Sequence, residues 1–536
     1  MGSPAMGSIP QDGTATPSAE APSFGQGTRV AVIGSGVSGI CAGAHLLKHG
    51  AKVVVFERSG VPSGVWNFNP RTDSNSVLYP SKPASLGDYA TSVPGQFLPQ
   101  QPSKQHHPLN TSDGDALKVA FAPPGPAYSG LKNNVPTSLL YSNLKPWPKG
   151  TPENVSHWEI AKYLQNLSTE NGLDDVTLYN TRVESATKSP DGKVWIVRTI
   201  TLLAKDGTPR IIERTWEFDA VVVCSGHYNL PRVPNIPGLS QWKDLFSDRI
   251  SHTKEYRNPD RFRDKNVLVI GGGTSSLDVC RELSKVTTGI YQSTRGGQFD
   301  HPTEVLPQIV KRVGEVTGFK IDSDAIPKNG LEEQSPIPGQ IVLRDGQTLR
   351  DIHHVIVATG YLTSFPFLPQ YHNDNLSPND ATPEVLVTSE ANMVHNLHRD
   401  IFYIEDPSLS FVGIPYYVST FSVFDFQAQA IARVLTGKTR LPSKQALRDV
   451  YKKRIGLKGR GRNFHSLAEE GAELAYIKDL VDSVNGAAAS PHIEPMQGHT
   501  EEWLATHKAY KERKSLFRQG KIKELIPLDE FLRLKF

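Results

Sequence analysis

Two stretches of this chain share one pattern of apolar and polar positions. In the first, Arg29–Ile33 (RVAVI) is short, continuous and β-branched, which predicts a parallel strand buried on both faces. Gly34-Ser35-Gly36-Val37-Ser38-Gly39 follows at once, then an alanine- and leucine-rich helical stretch to Gly50, then a second strand closing at Glu57. In the second, Asn266–Ile270 (NVLVI) runs into Gly271-Gly272-Gly273-Thr274-Ser275-Ser276, a helix begins at Leu277, and a strand ends in Ser293-Thr294-Arg295. Two more apolar runs, closing at Gly226 and Gly360, read as strands. Val155–Leu167 carries apolar residues at helical spacing, and the chain beyond Pro442 reads as charged helices. Residues 67–128 are rich in Pro, Ser and Gln, which excludes a central strand or long helix and predicts a long excursion. Residues 1–27, small and polar, predict a disordered tail.

The repeated strand–turn–helix–strand pattern predicts an α/β protein with two doubly wound, Rossmann-like dinucleotide-binding domains. We expect residues 28–230 and 351–445 to form one domain and 231–350 a second one inserted into it. Residues 446–536 are expected to form a helical extension. Each glycine has a physical task. Gly34 permits the tight turn, Gly36 lets backbone approach a pyrophosphate, and Gly39 lets helix and strand pack closely. Ser35, Val37 and Ser38 complete a turn that points helix N–H groups at a phosphate. Glu57 ends the second strand as an acceptor for ribose hydroxyls. A further glycine turn at 60–66 (GVPSGVW) makes Val65 and Trp66 candidates for cofactor contact. In the second unit Gly271, Gly273, Ser275 and Ser276 repeat the phosphate turn, with Ser276 in place of the third glycine. Its second strand ends without an acid. Ser293 and Arg295 there suit a 2′-phosphate, which favours NADPH over NADH.

Composition narrows the picture. Hydrophobic residues make up 38% and charged residues 21%, with a net charge of +3, so there is no nucleic-acid footprint. No apolar run is long enough to span a membrane. The three cysteines, Cys41, Cys224 and Cys280, form no CxxC pair, which argues against a disulfide scaffold, a dithiol centre and a zinc site. No secretory signal is visible, and a cytoplasmic, reducing compartment is expected. Two dinucleotide turns without a redox disulfide imply a flavin and a nicotinamide facing each other.

Several segments resemble the flavin-containing monooxygenases, class B flavoproteins. FSDRISHTKEY (246–256) resembles their motif FxGxxxHxxx[YF], with Asp248 where the family has glycine. VATGY (357–361) resembles FATGY, VCSGHY (223–228) resembles V(A/C)TGH, LKNNVP (131–136) resembles LxTNLP, and Asp425-Phe426-Gln427 resembles ExQ. The resemblance implies FAD and NADPH as cofactors, with O2 and a small organic molecule as substrates. It implies that oxygen reaches a nitrogen or sulfur through a C4a-hydroperoxyflavin. It implies Asn134 as the one catalytic side chain, with Asn133, Asn134 and Gln427 near the cofactors. Related Baeyer–Villiger enzymes carry Trp then Pro or Asp after the motif histidine. Tyr256-Arg257 stands there instead, which favours the N- and S-oxygenating branch. A ketone-oxidising Baeyer–Villiger enzyme and a non-catalytic nucleotide-binding sensor remain the alternatives. His252 is expected to be structural rather than a base, and most of the aromatics at 416–426 to be core. The excursion at 67–128, longer than the family usually has, bears on the substrate cavity and not on the cofactor sites. The closing EFLRLKF carries no hydrophobic anchor, which suggests a soluble chain. Self-association stays open.

Overall fold

The computed structural model of the protein describes residues 24–73, 77–88, 114–205, 208–327, 330–418 and 420–526. Most of the expected tail at 1–27, much of the 67–128 excursion and the closing EFLRLKF lie outside these residues.

Arg29–Ile33 runs through the middle of a seven-stranded sheet, parallel to Lys52–Phe56 on one side and Ala220–Val223 on the other. Leu409–Phe411 extends the sheet in parallel beyond Ala220–Val223. Helices cover one face and a three-stranded antiparallel sheet the other, so these strands are apolar throughout rather than alternating. Val30, Ala31 and Val32 are fully buried. A second sheet of five parallel strands has Asn266–Ile270 at its centre, between Gly289–Ser293 and His354–Val357. Val310–Val313 and Ile250–His252 are its edges.

His354–Val357 corrects the expected boundary at 350. This strand pairs with Asn266–Ile270, so the second sheet extends to Val357 and the return crossing comes after it. A buried apolar strand reads the same in either sheet, and its pairing is not written locally. A short antiparallel ribbon of Leu230–Pro231 with Tyr361–Leu362 closes the neck between the two units. The Arg232 amide donates to the Gly360 carbonyl at 2.8 Å beside it. A three-stranded antiparallel sheet (Thr181–Lys188, Trp195–Lys205, Thr208–Phe218) flanks the first unit. Three helices, Lys444–Lys458, Ala472–Gly486 and Glu501–Arg518, follow at the C-terminal end.

The helix after the first glycine turn, Val37–Lys48, packs against Ser422–Leu435. Small residues let them approach: Ala42, Ala428, Ala430 and Ala432 share a core with Leu46, Phe426 and Ile431. One polar knot lies in this contact. Asp425, fully buried, takes the His45 Nε2 at 2.6 Å, the Asn143 amide at 2.5 Å and the Ser142 hydroxyl. The carboxylate therefore joins two helices and a loop, and removing it strands several buried polar groups at once. We expect Asp425→Ala to lose about 3 kcal/mol of stability in urea unfolding, and Asp425→Asn, which keeps one acceptor, to lose less. A loss below about 0.5 kcal/mol for the alanine variant would show the knot to be dispensable.

Candidate active site

The first glycine turn sits at the carboxyl edge of the seven-stranded sheet. Gly34 has φ 103°, and a Cβ there would stand 2.6 Å from the Cys224 carbonyl oxygen. A Cβ on Gly39 would lie 1.8 Å from the Gly34 carbonyl oxygen, so helix and strand meet only because it is missing. At Gly36 the protein itself offers room, since the nearest atom is Gly64 Cα at 3.5 Å. The requirement for glycine at 36 therefore lies in what the turn binds. Ser35 is buried under the turn, where its amide donates to Glu57 Oε2 at 2.8 Å and its hydroxyl donates to the same oxygen at 3.0 Å. The other Glu57 oxygen accepts the Ser59 amide at 2.8 Å.

Gly34, Gly36, Val37, Ser38, Glu57, Val65 and Trp66 line one cavity of about 840 Å³. That size suits a large cofactor. Ser35 and Gly39 stand behind it. The sequence did not mark out several other wall residues. Gly64, on the short helical turn Gly64–Trp66, has φ 55°, and a Cβ there would come within 2.9 Å of Gly36 Cα, so the two glycine turns face each other. Arg58, next after Glu57, reaches Asp88 at 2.9 Å and the Asn229 side-chain oxygen at 2.9 Å. Phe121–Gly125 also line the cavity, so the described end of the excursion, expected to bear on the substrate cavity alone, walls the candidate cofactor cavity. Arg182, nearly fully buried, fixes that wall through the Phe121 carbonyl at 3.0 Å. No local signal could have joined residue 121 to residue 182. Arg58, adjacent to Glu57, was the findable one.

In the second turn Gly271 has φ 132°, and a Cβ would meet the Ala358 carbonyl oxygen at 2.3 Å. Gly273 caps the helix Thr274–Leu283, and Ser275 is exposed on its first turn. Ser276 is fully buried, and its hydroxyl accepts Gln292 Nε2 at 2.8 Å, so it ties helix to strand where glycine would only permit approach. Ser293 is likewise occupied: its hydroxyl donates to the Gly314 carbonyl at 2.9 Å and accepts the Val316 amide at 3.2 Å. Both serines shape the site from behind. Arg295 is exposed and has no ion pair among the described residues.

Three expected contacts resolve differently. Asn133 is buried with its amide used inside its own loop, donating to Val135 and Glu153 carbonyls at 2.8 and 2.7 Å and accepting the Val155 amide at 2.7 Å. Gln427 is fully buried, accepting the Gly413 amide at 2.8 Å and donating to Tyr476 Oη at 2.7 Å. It therefore positions Gly413, which lines the cavity, without lining it itself. Asn134 is exposed, and its side chain makes no hydrogen bond among the described residues, while its neighbour Val135 packs in one cluster with Trp66 and Phe421. Of the aromatics, Phe421 and Phe426 are core, Phe424 lines the cavity, and Tyr417 stacks on Phe299 at 4.2 Å, joining the first unit to the loop after Arg295.

Burial dominates the electrostatics at the neck. His252 is fully buried, and burial, with Lys254 adding to it, pushes its imidazole down to about 3. Its Nδ1 accepts the Lys254 amide at 3.1 Å, so it is a neutral helix cap and no base. Burial also pushes Lys254 down to about 8 against the pull of Asp88. Asp88 is buried too, but Arg58 and Lys254 outweigh that burial and hold it below the usual carboxylate range. Among the described residues no helix is long and apolar enough to cross a membrane.

The family described as flavin-binding monooxygenase-like matches residues 128–307 and 334–499, and the description NAD(P)-binding Rossmann-like domain matches residues 32–84. The flavin-containing monooxygenase ustF2 of Aspergillus flavus is 41% identical over 91% of this chain and 98% of that protein. The flavin-containing monooxygenase iboF of Amanita muscaria is 31% identical over 86% and 89%. Among solved structures, the S-allyl-L-cysteine S-oxygenase from Allium sativum superposes with a TM-score of 0.66 at 22% identity, covering 96% of this chain and 98% of that one. The chain belongs to the flavin-binding monooxygenase family, and its cofactors are FAD and NADPH.

We expect Gly36→Ala to melt near the wild-type temperature without flavin yet to purify colourless. Gly39→Ala should lower the melting temperature itself by several degrees, because its clash is with the protein. Equal effects of the two on the flavin-free protein would refute this division. A second expectation concerns acid. His252, His354 and His395 are nearly fully buried, and burial pushes them down to about 3, 2 and 3. The unfolded chain binds protons at these rings below about pH 6.5 while the folded chain does not, so stability falls as pH drops from there towards 3. Each ring contributes up to about 1.4 kcal/mol per pH unit. Urea midpoints should fall from pH 7 to pH 5, and His395→Gln should make that fall shallower.

Proposed function

We propose that this protein is an NADPH-dependent FAD monooxygenase that places one oxygen atom of O2 on a nitrogen or sulfur of a small organic molecule, the other leaving as water. In this reading the unit built on Arg29–Ile33 carries FAD and the unit built on Asn266–Ile270 carries NADPH. One observation carries it: two glycine turns open at the carboxyl ends of parallel strands in two sheets, the first followed by an acid and the second by an arginine with no ion pair among the described residues. When bound, the flavin supplies oxygen activation and the nicotinamide the hydride, so the protein's part is orientation and exclusion of water.

The residues divide that work. The amides around Gly36 and the helix start behind it face a pyrophosphate. Trp66 and Phe424 add apolar faces to the cavity wall. Arg295 offers a planar cation for a 2′-phosphate. Asn134 presents a neutral amide that can donate a hydrogen bond without adding charge. The S-allyl-L-cysteine S-oxygenase of Allium sativum, similar in fold, favours a thioether as acceptor over a ketone.

The test follows NADPH, O2 and product together with an amine, a thioether and a cyclic ketone supplied separately. One oxygenated amine or sulfoxide per NADPH is expected, and ester formation from the ketone alone would overturn the N/S reading. Arg295→Ala should raise KM for NADPH about tenfold and leave KM for NADH and the flavin content unchanged. Asn134→Ser should drop product well below NADPH consumption, and unchanged coupling would remove Asn134 from its role.

A further inference from the structure

The C-terminal helix Glu501–Arg518 belongs by sequence to neither cofactor unit, yet it touches both. Its first half packs on the flavin side, where Trp503 and Tyr510 share a cluster with Val135, Leu139, Phe421 and the partly buried Trp66. Its last turn packs on the other side, where Phe517 is buried with Leu277, Cys280 and Val305. Arg281 lies over the Phe517 ring at 5.7 Å and donates to the Lys523 carbonyl at 2.6 Å. Gly520 comes so close to the second unit that a Cβ would stand 2.7 Å from Glu304 Cβ. The helix thus bridges the two units.

At the middle of this bridge Tyr510 is 1% exposed, and its hydroxyl donates to the backbone carbonyl of Asn134 at 3.0 Å. Nothing else on the helix reaches that peptide among the hydrogen bonds of the described residues. Asn134 needs such a hold. Its neighbour Asn133 is locked by three hydrogen bonds and Val135 is in the core, but residue 134 faces outward with a side chain that makes no hydrogen bond among the described residues. The helix is itself held from behind: Glu473, 1% exposed, accepts the Thr420 hydroxyl at 3.1 Å and lies 3.5 Å from Lys511 Nζ.

We propose that Tyr510 is a positioning residue for Asn134, fixing the peptide from which that amide projects and tying its position to the helix that also grips the NADPH unit. This rests on the reading of Asn134 given above. The mechanism is geometric. A carbonyl pinned from behind restricts the φ/ψ excursions of residue 134, and so the volume its side chain samples.

Tyr510→Phe removes one oxygen atom and keeps the ring in its cluster. In the full-length, flavin-free protein, amide hydrogen exchange over 131–136 should quicken about three- to tenfold, while the rest of the chain exchanges as before. In the flavin-loaded enzyme, NADPH consumption should stay within about twofold while product per NADPH falls. The Asn134→Ser, Tyr510→Phe double variant should be no less coupled than Asn134→Ser alone, because both act through one group. Should Asn134→Ser uncouple the enzyme while Tyr510→Phe changes neither exchange nor coupling, the inference fails and the role of Asn134 stands. Should 131–136 loosen while neither variant lowers coupling, the role of Asn134 fails and the inference with it. Additive losses in the double variant would also overturn it, since they assign Tyr510 a separate, merely structural effect.

Discussion

The contact between Gly39 and the Gly34 carbonyl is the constraint from which the rest of the structure follows. At 1.8 Å from a would-be Cβ, the carbonyl leaves no room for any side chain. The helix Val37–Lys48 is therefore drawn against the strand end, its N-terminal amides converge on the cavity, and its far face meets Ser422–Leu435 through alanines. Asp425 then fixes the angle of that second helix, and Gln427 on it sets Gly413 in the cavity wall. One missing methyl at the sheet edge thus determines where residues nearly 400 positions away come to lie.

Charge at the neck obeys a different rule. Lys254 and Asp88 are taken out of water together, and the partly buried Arg58 beside them helps make that burial tolerable. Such a cluster adds little net stability against an apolar substitute, while removing one member would leave a buried charge without its partner. It joins the residue after Glu57 to the segment entering the second sheet. Its contribution is to specify how the first unit meets that segment.

The sequence made the two nucleotide units legible because each part of them is local: strand, turn, helix and acid lie within 30 residues of one another and obey simple periodicities. Glu57, Trp66 and Arg295 could be proposed as candidates on that basis, and the structure puts the first two in the cavity wall and leaves Arg295 exposed. What it could not convey was long-range pairing and polar occupancy. His354–Val357 reads as a buried strand in any sheet. Ser276, Ser293, Asn133 and Gln427 have the chemistry of ligand contacts, and only the fold shows that other protein groups already occupy them. The wall at Phe121–Gly125 and the helix around Tyr510 lay in segments whose composition carries no motif at all.

The ribbon of Leu230–Pro231 with Tyr361–Leu362 has a consequence for biogenesis. The central sheet is unfinished when Ala220–Val223 leaves the ribosome, because its partner Leu409–Phe411 has yet to be made. Everything between them is largely the second unit, a parallel sheet whose strands are complete by Val357 and which is free to collapse on its own during synthesis. Once it has done so, the ribbon brings its two ends side by side, and a loop of well over a hundred residues behaves like a short one. The late strand is thereby delivered to a waiting edge, which shortens the time that an apolar sheet margin stands open to other nascent chains.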